Sequence, residues 1–298
     1  MTSSADNPFD LNDDSAYQQW RERKLAGYPH TAAELLVDID DPRTLNEAES
    51  ALIKNRVNAC NMLIYRSKLG SLEDKNITRK LGQQLGLDAL DPNMLADDDG
   101  ITSLTVVEGK NKRGYIPYSD KRLLWHTDGY YNPPEQQIRA FILHCVRPAP
   151  AGGENALLDP EMVYLRLRDE NPEHIMALMH PAAMTIPANR ESGQVTRPAQ
   201  SGPVFALDPD AHRLHMRYTA RTRSIVWRDD DMTGNALTAL GKLLDEANPD
   251  VFHYRLQAGE GVLSNNVLHS RTAFRQGKTE AEQRLLYRAR YYARISTN

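Results

Sequence analysis

Apolar residues fall along this chain in two textures. Over the first hundred positions they recur at helical spacing, separated by short apolar runs. Ala16, Tyr17 and Trp20 follow the acidic pair Asp13 and Asp14 and predict a capped helix that ends by Gly27, with Pro29 beyond. After Pro42, Arg43 and Thr44, a second helix is carried by Leu45, Ala48, Leu52, Ile53 and Val57. A third spans 73–85 and is closed by Gly86, while 35–39 and 62–65 read as short strands. Residues 1–12 carry no pattern and are expected to be unstructured.

From residue 101 strands take over. They are predicted at 101–108, 137–146, 156–159, 212–227, 251–256, 261–263, 267–271 and 285–295, with a turn at 109–114 and a loop at 148–153. Two helices interrupt them, at 160–168 and 233–247. The stretch 187–202 is polar, contains Gly and Pro, and has no periodicity. Long loops inside compact domains commonly serve as lids or binding loops, so it is the lid candidate. Without a Pro/Ser/Gly-rich linker, the pattern predicts one domain over 1–298, with 13–100 as its helix-rich part. The fold class expected is mainly β with flanking helices (α+β), a β-sandwich or jelly roll, that is, a double-stranded β-helix.

Composition narrows the function. The 298 residues carry a net charge of −4 with no concentrated basic face, which argues against nucleic acid as a partner. No apolar run approaches the roughly 20 residues of a membrane span, so no membrane partner is expected. Two cysteines, Cys60 and Cys145, each lie among apolar residues and read as buried free thiols. A cytoplasmic location is the simplest expectation.

The candidate chemistry begins at Trp125-His126-Thr127-Asp128-Gly129. On an extended backbone, residues two apart point to the same side, so the imidazole and the carboxylate converge. Two such ligands plus a distant histidine make the facial triad of non-haem iron oxygenases. Most other histidines have plainer readings. His30, His174 and His180 lie near prolines in expected loops, and His144 sits in an apolar strand. His269 stands apart: a short strand delivers it after Asn265 and Asn266, far in sequence from His126.

Four pieces in order give the chain a resemblance to a known family. They are the motif at 125–129, Pro150-Ala151-Gly152-Gly153-Glu154-Asn155, the stretch from Asn265 to Phe274, and the Arg-rich strand from Arg284. Together they resemble the taurine dioxygenase (TauD/TfdA-like) family of Fe(II)/2-oxoglutarate-dependent oxygenases, related to γ-butyrobetaine hydroxylase. The resemblance implies His126, Asp128 and His269 as iron ligands, with 2-oxoglutarate as cosubstrate and dioxygen as oxidant. It implies Arg284 as the clamp on the far carboxylate of 2-oxoglutarate, a role suited to a bidentate guanidinium. Asn155 stands where the family often has Thr or Ser beside 2-oxoglutarate, and its amide can also donate a hydrogen bond.

Arg288 matches the position that holds the sulfonate in the taurine enzyme, against an alternative in which Arg288 and Arg290 are a solvated strand face. Tyr130 and Tyr131 follow the ligand strand and either line the substrate pocket or pack under the adjacent loop, while Arg221 and Arg223 read first as surface charges on a strand, with contact to an acidic substrate as the alternative. Because Asp128 is retained, where related halogenases have a small residue, hydroxylation or another oxidation is favoured, and Arg288 points to a small anionic or zwitterionic metabolite as substrate. Members of the family are commonly dimeric or tetrameric, so a homo-oligomer is compatible, although no interface stripe stands out. A cupin-like dioxygenase that does not use 2-oxoglutarate, and a degenerate non-catalytic binding protein, fit some of the same residues.

Overall fold

The computed structural model describes residues 7–91, 100–106, 118–191, 194–208, 213–222, 225–245 and 247–295. Helix α1 (Asp14–Gly27) starts where the sequence places it, because the Asp13 carboxylate accepts from the Ala16 N–H. Strand β1 (Leu36–Ile39) follows, then α2 (Glu47–Cys60). Helix α2 begins later than Pro42 suggested. Asp41 holds a turn by accepting from the Arg43 N–H, and the true cap is a reciprocal box between Asn46 and Glu49. Next come β2 (Met62–Ser67), α3 (Asn76–Gln84), β3 (Thr102–Leu104), β4 (Leu123–His126), β5 (Ala140–Arg147) and β6 (Asn155–Leu158). Helices α4 (Pro160–Glu170), α5 (Pro172–Leu178) and α6 (Asp231–Leu243) precede β7 (Phe252–Tyr254), β8 (Glu260–Ser264), β9 (Leu268–Arg271) and β10 (Leu285–Tyr291). Shorter strands fill the loops between these elements.

Two sheets carry the architecture. One has the order β1-β2-β8-β5-β10-β3, with only β1 and β2 parallel; the other is antiparallel with the order β7-β6-β9-β4. Burial shows how the layers stack. Met62, Ile64, Phe141, Cys145, Val262 and Leu286 of the first sheet share a core with Leu157 and Phe252 of the second. The outer face of the first sheet (Leu63, Tyr65, Ile142, Ala289, Tyr291) packs on Ile53 and Val57 of α2 and Leu81 of α3. The outer face of the second (Trp125, Ala156, Leu158, Leu268) packs on α4, α5 and α6. Along β10 the alternation sends Tyr287, Ala289 and Tyr291 toward the helices. Leu286, Arg288 and Arg290 therefore face the space between the sheets.

Several expectations need correction. Residues 7–12 are not unstructured: Phe9 is buried edge-on against Trp20 and Tyr164, and its carbonyl accepts from the Tyr164 hydroxyl. The stretch 187–202 is not a structureless loop. Asn189–Glu191 pairs with Gln194–Arg197, and Gln200–Gly202 pairs with Met184–Ile186. Gln194, Val195 and Thr196 are all exposed, so no buried face imposes the alternation that marks a strand. His174 lies on α5, not in a loop; seven residues are too few to display helical periodicity. Among the described residues of 212–227, the strands are Leu214–Met216 and Val226–Trp227, and the last strand stops at Tyr291 rather than 295. Only Thr102–Leu104 of the predicted 101–108 is strand; 107–108, the turn at 109–114 and Arg223 lie outside the described residues. No described helix is long and apolar enough to cross a membrane.

Candidate metal centre

Strands β4 and β9 are hydrogen-bonded antiparallel neighbours, and their register sets His126 directly opposite His269. The two imidazoles lie 4.2 Å apart between ring centroids. Asp128 comes two residues after His126, so its side chain returns to the same side. One ligand atom from each of His126, Asp128 and His269 lies within 4.8 Å of the other two.

The hydrogen bonds prepare these groups to bind a cation. Nδ1 of His126 lies 2.9 Å from the Leu124 carbonyl, and Nδ1 of His269 lies 2.9 Å from the Val267 carbonyl. A carbonyl only accepts, so each Nδ1 carries the proton and each Nε2 keeps its lone pair. Burial, then the neighbouring His269, lowers the His126 pKa to about 3, and burial also lowers that of His269. Both rings are therefore neutral at physiological pH. Burial opposes ionisation of Asp128, but Arg288 and Arg290 outweigh it and hold the carboxyl well below the usual range. Two neutral nitrogens and one carboxylate form a donor set that suits Fe(II), with coordination positions left for other ligands. The fit is visible in one atom: Oδ2 of Asp128 is buried and has no hydrogen-bond partner, a costly arrangement unless something else binds there.

A residue the sequence reading quoted but gave no role holds Asp128 in place. The Asn266 amide accepts from the Asp128 N–H at 2.8 Å and donates to the Asp128 carbonyl at 3.0 Å and the Ile138 carbonyl at 2.7 Å. Its backbone is left-handed, with φ of 54°, a conformation Asn tolerates better than most residues. The Asn265-Asn266 pair was the available signal, since Asn marks tight turns. Directly after Asp128 the chain turns at Gly129, with φ of 67°; a Cβ there would fall 2.4 Å from Ile138 Cγ1.

Arg288 and Arg290 are not a solvated strand face. Arg290 is buried and Arg288 mostly so beside Asp128, with nitrogens 3.9 and 3.2 Å from its Oδ1. Arg290 also donates to the Tyr131 hydroxyl and pairs with buried Asp91, another contact the sequence did not reveal. Arg288 has a second donor to spare, as its Nε is buried without a partner. Tyr130 and Tyr131 meet edge to face at 5.2 Å, and both pack on the outer core. Arg197, from the hairpin in 187–202, lies 5.8 Å from the Tyr131 ring.

Arg284 sits just before β10, 4% exposed, in a small pocket shared with Asn155, Gly153, Cys145 and Leu286. Burial pushes its pKa down to about 10. No carboxylate ion-pairs with it among the described residues; the face of Phe274 lies 4.9 Å from its guanidinium carbon. Asn155 is buried at the start of β6, where its amide makes a long contact with the Tyr254 carbonyl. Arg221 is exposed and is not among the groups gathered around Asp128.

Comparison with known proteins agrees with this geometry. The model of the family described as "Taurine catabolism dioxygenase TauD, TfdA family" matches residues 22–290. A uridine-5'-phosphate dioxygenase from Amycolatopsis sp is 33% identical over 130 residues, covering 37% of this chain and 44% of that protein. The chain therefore matches less than half the length of that relative. Among solved structures, the non-heme iron oxygenase OrfP in complex with Fe and alpha-ketoglutaric acid has a similar fold, with a TM-score of 0.59 at 17% identity. That similarity covers 91% of this chain and 89% of OrfP. A taurine dioxygenase from Burkholderia xenovorans gives 0.57 at 15% identity, covering 89% and 86%. From the ordered motifs, the convergence of His126, Asp128 and His269, and a family match across most of its length, this chain belongs to the TauD/TfdA dioxygenase family.

Proposed function

We propose that the protein is an Fe(II)- and 2-oxoglutarate-dependent dioxygenase that hydroxylates an unactivated C–H bond of a small anionic or zwitterionic metabolite. The observation that carries this reading is the buried, unpartnered Asp128 oxygen in one cluster with two neutral histidines whose Nδ1 atoms are already hydrogen-bonded. His126, Asp128 and His269 would hold the iron, and the two facing sheets are read as a double-stranded β-helix that encloses it. Bound iron supplies the oxidation: substrate C–H, dioxygen and 2-oxoglutarate give the alcohol, succinate and carbon dioxide.

The chain's own residues bind and orient. Arg284 pairs with the far carboxylate of 2-oxoglutarate, replacing the counter-ion its pocket does not supply, and Asn155 lies in the same pocket. Arg288 offers its free Nε–H to an anionic group of the substrate while its other nitrogen stays on Asp128. Tyr130 and Tyr131 form an aromatic wall beside it, with the Arg197 guanidinium 5.8 Å from the Tyr131 ring. Asn266 keeps Asp128 aimed at the metal. A relative named for a nucleotide phosphate is consistent with an anionic substrate.

Succinate release, measured with Fe(II) and 2-oxoglutarate against a panel of organic acids, amino acids and phosphate esters, tests the proposal. Stimulation by one class supports it. The Asp128→Ala variant should release no succinate above background; activity equal to wild type would remove Asp128 from the metal centre.

A further inference from the structure

The pocket around Arg284 holds a second arginine, to which neither the sequence motifs nor the metal centre gives a role. Arg255 follows directly after β7, whose last residue, Tyr254, pairs in register with Asn155 at the start of β6. That register carries Arg255 to the loop at 148–153 and into the wall of the pocket that Arg284 and Asn155 share. Its Nη2 donates to the carbonyl of Ala149, in the same loop, and its Nε is buried without an acceptor. Arg284 reaches this loop from just before β10. A Cβ on Gly153 would stand 3.7 Å from the Arg284 Nε and 3.8 Å from the Ala149 Cβ. Two guanidinium groups, brought by the ends of strands in different sheets, therefore lie against one short loop.

The pocket is cationic. Its wall contains both arginines and no acid. Cys145, also in the wall, senses the charges around it. Burial pushes its thiol up to about 12; Arg284 and Arg255 act in the other direction, against Glu260. The thiol is therefore neutral at physiological pH and offsets neither arginine. Glu260 is engaged elsewhere. Its Oε1 accepts from the Tyr254 hydroxyl at 3.1 Å and its Oε2 from the Gln257 N–H at 2.8 Å, and it stands opposite Arg66 in register. A third arginine nearby, Arg271, differs from the two in the wall. It donates to the Ser119 and Lys121 carbonyls, and Asp120 acts on it. A carboxylate offers about four lone-pair directions, so it can take the fork of one arginine and a further N–H from a second.

Resting on the 2-oxoglutarate reading above, we propose that Arg255 is a second cosubstrate-binding residue, which shares the far carboxylate of 2-oxoglutarate with Arg284. The Arg284 fork takes the carboxylate. Arg255 adds an N–H from the loop side while its Nη2 stays on Ala149.

Anaerobic titration of the full-length protein with Fe(II) and 2-oxoglutarate, followed by visible absorption, reads this binding without turnover. Arg255→Gln should need roughly tenfold more 2-oxoglutarate for half-saturation, as for the loss of a charge-assisted hydrogen bond, and should reach the full amplitude. Its Fe(II) affinity, read by chelator competition, should be unchanged, because Arg255 is not among the metal ligands. Arg255→Lys keeps a charged donor and should fall between Arg255→Gln and wild type. Arg275→Gln removes an exposed charge opposite Ala151 and should titrate like wild type. A wild-type protein without a band would sink the 2-oxoglutarate reading itself. A wild-type band with Arg255→Gln titrating within about twofold of it overturns the role of Arg255 alone. So does a loss in Arg255→Gln that Fe(II) affinity and melting temperature share, since Arg255 would then only pin the loop through Ala149.

Discussion

Arg284 sits just before β10 and Arg290 within it, and both are almost completely buried, at 4% and 3% exposure. Their surroundings differ in one respect. Arg290 pairs with Asp91 and the Tyr131 hydroxyl, and Tyr292 steadies Asp91 from its other oxygen. Burial opposes its charge, yet Tyr131, Asp128 and Asp91 raise its pKa above the ordinary value. Arg284 meets Phe274, Cys145 and Leu286, and burial drives its pKa down to about 10. Arg290, supplied with a counter-ion by the fold, is part of the scaffold. Arg284, which has no ion-pair partner among the described residues and lines a pocket, is where we place a ligand's charge.

The largest expected effect tests the scaffold side of this contrast. Asp91→Ala would strand the Arg290 guanidinium and should cost about 3–5 kcal/mol of stability, read from denaturant midpoints at constant m. A loss below ~1 kcal/mol would mean that the pair is incidental. Arg284→Ala should do the opposite. Removing an unpaired cation leaves stability at or above wild type, while the carboxylate of 2-oxoglutarate loses its partner, worth about 2–5 kcal/mol. Its apparent KM for 2-oxoglutarate should therefore rise by roughly 30-fold or more.

Asn266→Ala should come next. It leaves all three ligands in place but frees the Asp128 backbone, and metal affinity should fall by about 10–100-fold, as for other residues that orient ligands. Competition with a calibrated chelator reads this directly, and unchanged affinity would reduce Asn266 to a turn residue. The smallest effect concerns acid. His144 is buried, shares a 2.9 Å hydrogen bond with Tyr65, and burial lowers its pKa to about 4. The unfolded chain takes up this proton near pH 6.5 and the folded one only near pH 4, so stability falls as pH drops through that window. At about pH 5.5 the loss from this residue should be roughly 1 kcal/mol. His144→Phe should flatten that part of the pH profile, and an unaltered slope would refute the assignment.

The sequence disclosed the site better than its support. His126 and Asp128 were legible because strand alternation alone brings i and i+2 together. His269 was legible because it ends an apolar run just past a polar turn. The cross-strand pairing of His126 with His269 could not be read, since register depends on partners far apart in sequence. Arg290 was left open for a similar reason. An arginine alternating with apolar residues looks the same whether its side faces water or a buried aspartate two hundred residues away. The hairpin in 187–202 escaped because its strands are polar and exposed, and Phe9 escaped because a single anchoring aromatic has no period.

The central claim is that three ligands hold iron while Arg284 waits for the cosubstrate. Anaerobic titration of Fe(II) and 2-oxoglutarate, followed by visible absorption, tests both halves at once. A charge-transfer band should saturate at one iron per chain and be absent in Asp128→Ala. In Arg284→Ala it should require at least about tenfold more 2-oxoglutarate. A protein that forms no band, or an Arg284→Ala variant that titrates like wild type, would contradict it.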